Sequence, residues 1–227
     1  FATDTVNAIE NAGFAIEREE YAITKDEQRL FGLLNISRPV APVAPTYGVP
    51  TLYRPGWNML VALRGAHDQS ISRGLAIGSQ VMICSNLCFH GDLGNWSSKQ
   101  TTNIASRLPD MVADAVAGLG HAGDRLAVDF EQFNAAQISR NRGDFILLDI
   151  FRAGGFSASQ LGRAIADWDE CSIDEHTANG RNLWWLFNSA THALKPTGAN
   201  TNHADVQHRS TIVYNKLTSG ARQLLAA

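Results

Sequence analysis

Cysteine is scarce. Cys84, Cys88 and Cys171 are the only three in 227 residues, an odd number that argues against a disulfide framework and fits a reducing cytoplasm. No run of about eighteen apolar residues occurs, so no membrane partner is expected. The start, Phe1-Ala-Thr-Asp4, lacks the basic and apolar regions of a signal peptide. It also lacks an initiator Met, which reads as a start inside a longer gene product. The phosphate-loop, Rossmann and zinc-protease patterns are missing, and with them the usual signatures of nucleotide-driven and metallopeptidase chemistry. No catalytic residues, metal ligands or cofactor are assigned.

What is present is a globular composition: 44% hydrophobic and 18% charged residues. The net charge of −3 rules out a uniformly basic nucleic-acid binder, but the charge is unevenly spread. Residues 51–107 hold five basic and two acidic groups, and residues 181–227 hold five and one. Between them, residues 108–180 hold five basic and twelve acidic groups. Two basic zones bracketing an acidic one are either ordinary solvated surface or the two parts of one anion-facing surface.

Periodicity places a short helix over 4–11, capped by Asp4 or Thr5 and stopped at Gly13. Strands follow over 14–23 and 29–37, joined as a hairpin by the polar link 24–28. Pro39, Pro42, Pro45 and Pro50 make the next stretch extended and irregular. Residues 57–63 read as a strand with Trp57, Met59, Val61 and Leu63 on one face, and 77–84 as another. From residue 103 the spacing turns helical, with Leu108, Met111, Val112, Ala115, Val116 and Leu119 on one stripe. Further helices are expected from Asp144 to Phe151, from Ser157 after the Gly154-Gly155 break, from Asn182 to Leu194, and from about Asp205. The fold class is therefore α+β: N-terminal antiparallel strands and hairpins packed with a C-terminal set of helices. One domain over 1–227 is expected, strand-rich over 1–100 and helix-rich over 101–227.

Four groups of residues carry potential chemistry. His67-Asp68, surrounded by Arg64, Ser70 and Arg73, mixes cations and hydroxyls as phosphate contacts do, although a turn-stabilising Asp with an incidental His has the same composition. Cys84, Cys88, His90 and Asp92 invite a zinc reading, but the apolar Leu87 and Phe89 favour core cysteines. His203 and His208, five apart with Asp205 between, are poorly spaced for one helix face. Trp184-Trp185 offers either two core rings or one stacking platform.

Leu63-Arg-Gly-Ala-His-Asp-Gln-Ser70, Gln80-Val-Met-Ile-Cys-Ser-Asn86 and Trp184-Trp-Leu-Phe-Asn-Ser-Ala-Thr-His192 together resemble the phage/plasmid-like proteins built on a domain of unknown function. The likeness runs over about residues 14–217. It departs at Gly65-Ala66, where that family more often has Asn-Ser. The resemblance implies a phage- or plasmid-encoded protein that accompanies single-stranded DNA handling. From it comes the leading expectation: binding or annealing of single-stranded nucleic acid in recombination, as a homo-oligomer. The contacts would be Arg54, Arg64, His67, Asp68, Ser70, Arg73, Lys99, Arg107 and Trp184, with Trp57 or Trp96 as further stacking rings. A non-catalytic, protein-binding anti-defence or host-takeover factor ranks second. A metal-dependent nuclease centred on His67 and Asp68 ranks third.

Overall fold

A computed structural model of the protein describes residues 1–24, 26–37, 57–68, 70, 72–81, 86–89, 95–98, 104–171, 173–195 and 203–225. The arrangement is α+β, as expected. The chain divides into two compact units that alternate along the sequence: 1–41, 58–79 and 90–124 in the first; 42–57, 80–89 and 125–227 in the second. The last crossing from the first unit to the second, at 124/125, falls inside the long helix that follows the strands.

The first unit begins with α1 (Ala2–Asn11), where Thr5 Oγ1 donates to the Phe1 carbonyl at 2.9 Å. Gly13, at φ +84°, then turns the chain in a left-handed conformation that a side chain would resist. The hairpin β1 (Ala15–Ile23) and β2 (Arg29–Ser37) lies where the alternation placed it. Next come β3 (Trp57–Ala66) and β4 (Arg73–Val81). The sheet order is β1-β2-β3-β4. β5 (Asn86–Phe89) belongs to the second unit, and β6 (Asn95–Ser98) pairs antiparallel with β4. β4 starts four residues earlier than the expected strand at Ile77, because β6 supplies ladder partners for Arg73 and Gly74.

β3 is buried on both faces: Leu60 is as enclosed as Val61 and Leu63. The expected one-sided strand is thus a central one. Ile9, Val61, Leu75, Ile77, Val116 and Leu119 converge on one small void. α1 and the first part of α2 (Ile104–Ala135) therefore cover the sheet face that carries Val61 and Leu75. The other end of the ladder is open. β1 is the terminal strand, and all but one of its residues are exposed.

The second unit is built around α6 (Leu183–Ala193), buried everywhere except His192. Asn182 caps it, accepting from the Trp185 amide at 2.9 Å, as the sequence suggests. α3 (Arg140–Arg152), α4 (Ala158–Asp169), the short α5 (Asp174–Thr177) and α7 (His203–Leu225) complete the unit. Ser157 caps α4 in a reciprocal capping box with Gln160. Asp144 does not begin α3; Ser139 does, accepting from the Arg142 amide at 3.2 Å. Phe130, Phe133, Trp184, Phe187 and Tyr214 form a continuous aromatic core.

Beside that core, Arg181 lies over two adjoining indoles, 4.8 Å from the Trp168 centroid and 4.5 Å from that of Trp185, whose rings meet edge-on at 5.2 Å. Its guanidinium donates to the carbonyls of Trp168 and Asp169 at 2.6 and 3.0 Å. One cation thereby meets two rings while its edge donates to carbonyls. The Trp168 ring lies so close to α3 that a Cβ on Gly143 would come within 2.3 Å of it. Gly162, on α4, has nothing within 4 Å. Gly143→Ala should accordingly cost about 2 kcal/mol by overpacking, while Gly162→Ala should add about 0.7 kcal/mol through helix propensity. Urea unfolding of the two variants measures both. Equal effects would contradict the packing described.

Candidate functional site

The β2–β3 ladder decides where the sequence-predicted cations go. Phe31 pairs with Arg64 and Arg29 with Ala66. Directly paired residues share a face, and so do residues two apart. Arg29 and Arg64 therefore project from one face at one end of the sheet. Arg64 is half-buried, with the Cβ position of Gly74 at 3.4 Å from its Nε. It makes no ion pair among the described residues.

Arg73 goes to the opposite face. Its Cγ is 3.3 Å from the Cβ position of Gly65, the residue after Arg64, and its guanidinium lies over the Phe1 ring at 5.9 Å. A single groove lined by Arg64 and Arg73 together is not what the strands build, because neighbouring β residues point to opposite faces.

The loop between β3 and β4 brings His67, Asp68 and Ser70 to the end occupied by Arg29. His67 is exposed, and its backbone N–H donates to the Gln28 carbonyl at 2.7 Å, tying the loop to the β1–β2 hairpin. Asp68 Oδ1 accepts from the Ser70 amide at 3.0 Å, and its Oδ2 lies 3.8 Å from Arg29 Nη2. Arg29 Nε donates to Ser70 Oγ at 2.9 Å. Hydrogen bonds from Ser70 first, then the Arg29 charge, hold the Asp68 carboxyl below the usual carboxylate range. In this arrangement Asp68 is a turn-forming carboxylate that fixes the loop. The His67-Asp68 pair faces no clustered ligand set, and no metal-holding group of His, Cys, Asp or Glu occurs among the described residues.

The remaining predicted residues separate. Arg107 is exposed on α2. Trp184 is 1% exposed, with its ring 5.3 Å from Phe130 and 5.7 Å from Phe187, so it presents no face to a stacking base. Burial of α6 on all sides overrides the expected division between an inner and an outer tryptophan, and Trp185 is buried too. Trp57, another suggested stacking ring, packs edge-on against Phe130 at 5.1 Å, and Trp96 is half-buried. Arg54, Lys99, Cys84, His90 and Asp92 lie outside the described residues, as does the side chain of Cys88. Cys171 is half-buried, and its thiol donates to the Ile173 carbonyl at 3.7 Å.

Sequence reasoning missed Arg29. Its contact with Ser70 spans 41 positions, and only its place at the start of an apolar strand marks it. The exposed edge strand was also missed as a feature. Thr24 N–H donates to the Arg29 carbonyl at 3.0 Å. By alternation, the backbones of Glu20 and Ala22 face β2, and those of Glu19, Tyr21 and Ile23 face outward. Burial and a hydrogen bond to Glu19 push the Tyr21 phenol up to about 12, so it stays a neutral donor.

Compared with protein-family models, with curated proteins and with solved structures, the chain matches none. No helix among the described residues is long and apolar enough to cross a membrane.

The Asp68 contacts give a sign-definite test. A depressed carboxyl contributes stability above its unfolded pKa and loses it as pH falls through the folded value. Ser70→Ala should raise the Asp68 pKa toward the ordinary range, and Arg29→Ala should raise it less. Carboxyl-carbon NMR titration measures both. A reversed order would contradict the hydrogen-bond assignment.

Proposed function

We propose that this chain is a non-catalytic nucleic-acid-binding protein that holds a single strand by its phosphates at the β2–β3 end of the first unit. The observation that carries this reading is the shared face of Arg29 and Arg64. Arg64 is half-buried with no ion pair among the described residues, and its Nε lies 3.4 Å from the Cβ position of Gly74. Such a group pairs well with an oxyanion, because a planar fork matches phosphate geometry. Exposed His67 and Ser70 lie at the same end, and hydroxyl and imidazole groups are common phosphate contacts. Single-strand annealing in phage or plasmid recombination is the role that the resemblance to the phage/plasmid-like family implies for such a binder, as a homo-oligomer.

The test is anisotropy of a labelled oligothymidylate across a salt series. Tight binding at about 50 mM salt should fall steeply as salt rises. Arg64→Ala should weaken binding and flatten the log–log salt slope by about 0.7, the counterion share of one phosphate on a single strand. Arg73→Ala, on the opposite face, should leave the slope unchanged. Absence of binding at low salt would overturn the proposal.

A protein-binding, anti-defence role is the second reading, favoured by β1. Its free edge offers the outward backbones of Glu19, Tyr21 and Ile23, and Tyr21 and Ile23 are 44% and 63% exposed. Glu17, Glu19 and Glu20 against Arg18 give this edge a charge that repels nucleic acid. A strand-pairing partner would slow hydrogen exchange at those three amides, whereas a phosphate ligand at Arg29 and Arg64 would leave them exchanging freely.

A further inference from the structure

A groove of about 630 Å³ runs between α3 and α7, inside the second unit. From α3 it is lined by Arg142, Phe145, Ile146 and Asp149, and from α7 by Ile212, Lys216 and Gly220. The spacing i, i+3, i+4, i+7 puts the four α3 residues on one stripe. Phe145 is 67% exposed, the most exposed large apolar side chain among the described residues. Nothing lies within 4 Å of the Cβ position of Gly220, so the groove wall is hollow there. A knob and a hollow thus lie side by side on one surface.

We infer that this groove receives a second copy of the same chain, with α3 packed antiparallel against its symmetry mate. The order of the stripe carries the inference. It runs cation, apolar, apolar, anion, and the midpoint of Arg142 and Asp149 coincides with the midpoint of Phe145 and Ile146. A two-fold axis through that midpoint places each Arg142 opposite the other copy's Asp149, and each Phe145 opposite the other copy's Ile146. No like charges on the stripe meet. The ion pairs sit about 5 Å along the helix on either side of the axis, at 1.5 Å of rise per residue. A contact in which one patch meets itself through a dyad is the commonest arrangement of homo-oligomers.

The charges are available for this contact. Arg142 is exposed, and its guanidinium makes no ion pair among the described residues. Asp149 holds Lys216 at 2.7 Å through Oδ2, which leaves Oδ1 for the incoming guanidinium. Lys216 lies near the approaching Arg142 and opposes it in part, so the dimer is a reversible one whose core is the Phe145 contact. A parallel copy would set Arg142 against Arg142 and Asp149 against Asp149, which excludes that orientation.

Sedimentation of the full chain, free of nucleic acid, tests the inference through charge reversal. The wild type should dimerise reversibly with concentration. Arg142→Asp alone and Asp149→Arg alone each turn two attractive pairs into two repulsive ones, and each should weaken dimerisation roughly tenfold. The double variant restores both pairs in reverse and should return to within about threefold of the wild type. Phe145→Glu should leave only monomer. A wild type that stays monomeric at every concentration would overturn the inference, as would a double variant no tighter than the singles or a Phe145→Glu dimer of unchanged strength.

Discussion

The period of two along β2 and β3 is the constraint on which the site depends. Once Phe31 is set opposite Arg64 and Arg29 opposite Ala66, the two arginines must share a face, and a slip of one residue would send either cation to the other side. That register is firmly specified. Leu34 and Ile36 on β2, and Val61 and Leu63 on β3, are all at most 4% exposed, so a slip would turn buried side chains outward. The apolar pattern that stabilises the sheet therefore also positions the charged end. Arg29 then fastens the loop through Ser70 and Asp68, while the neighbouring Arg64 has no ion-pair partner among the described residues.

The second unit uses its charge differently. Arg181 lies against Trp168 and Trp185 and spends donors on backbone carbonyls. Arg140 forks onto Asp169 at 2.6 and 2.8 Å. Tyr214 donates to the buried Asp129, and burial together with that carboxylate raises the Tyr214 pKa well above the ordinary phenol value. These groups are consumed by packing. The basic character of residues 181–227 is thus partly internal, and summing charge along the chain overstates what is offered to a ligand. Among the exposed charges of this unit, Arg142 and Asp149 on α3 bracket Phe145.

Much of the fold was legible because local signals agree with it. The helices expected from Ser157 and Asn182 begin there, Gly13 follows the end of α1, and β2 occupies the apolar run from Arg29 to Ser37. Where local and distant signals compete, the sequence misleads. Asp144 has a capping side chain, but Ser139 begins the helix because the chain there pairs with distant segments: Ile138 N–H meets the Arg181 carbonyl at 3.0 Å and Gln137 bridges Asn182. Trp184 reads as a platform only when its helix is taken alone. The polar loop was recognisable, yet the division of Arg64 from Arg73 depends on a ladder that no short window contains, and Arg29 enters only through a contact across 41 positions.

The central claim is that Arg29 and Arg64 form one anion-facing end from which Arg73 is excluded. Side-chain Nε–Hε resonances of arginine report this directly during titration with a short oligothymidylate at low salt. The account predicts progressive shifts for Arg29 and Arg64 and an unmoved Arg73. Shifts at Arg73 without Arg64, or none at any of the three, would contradict it.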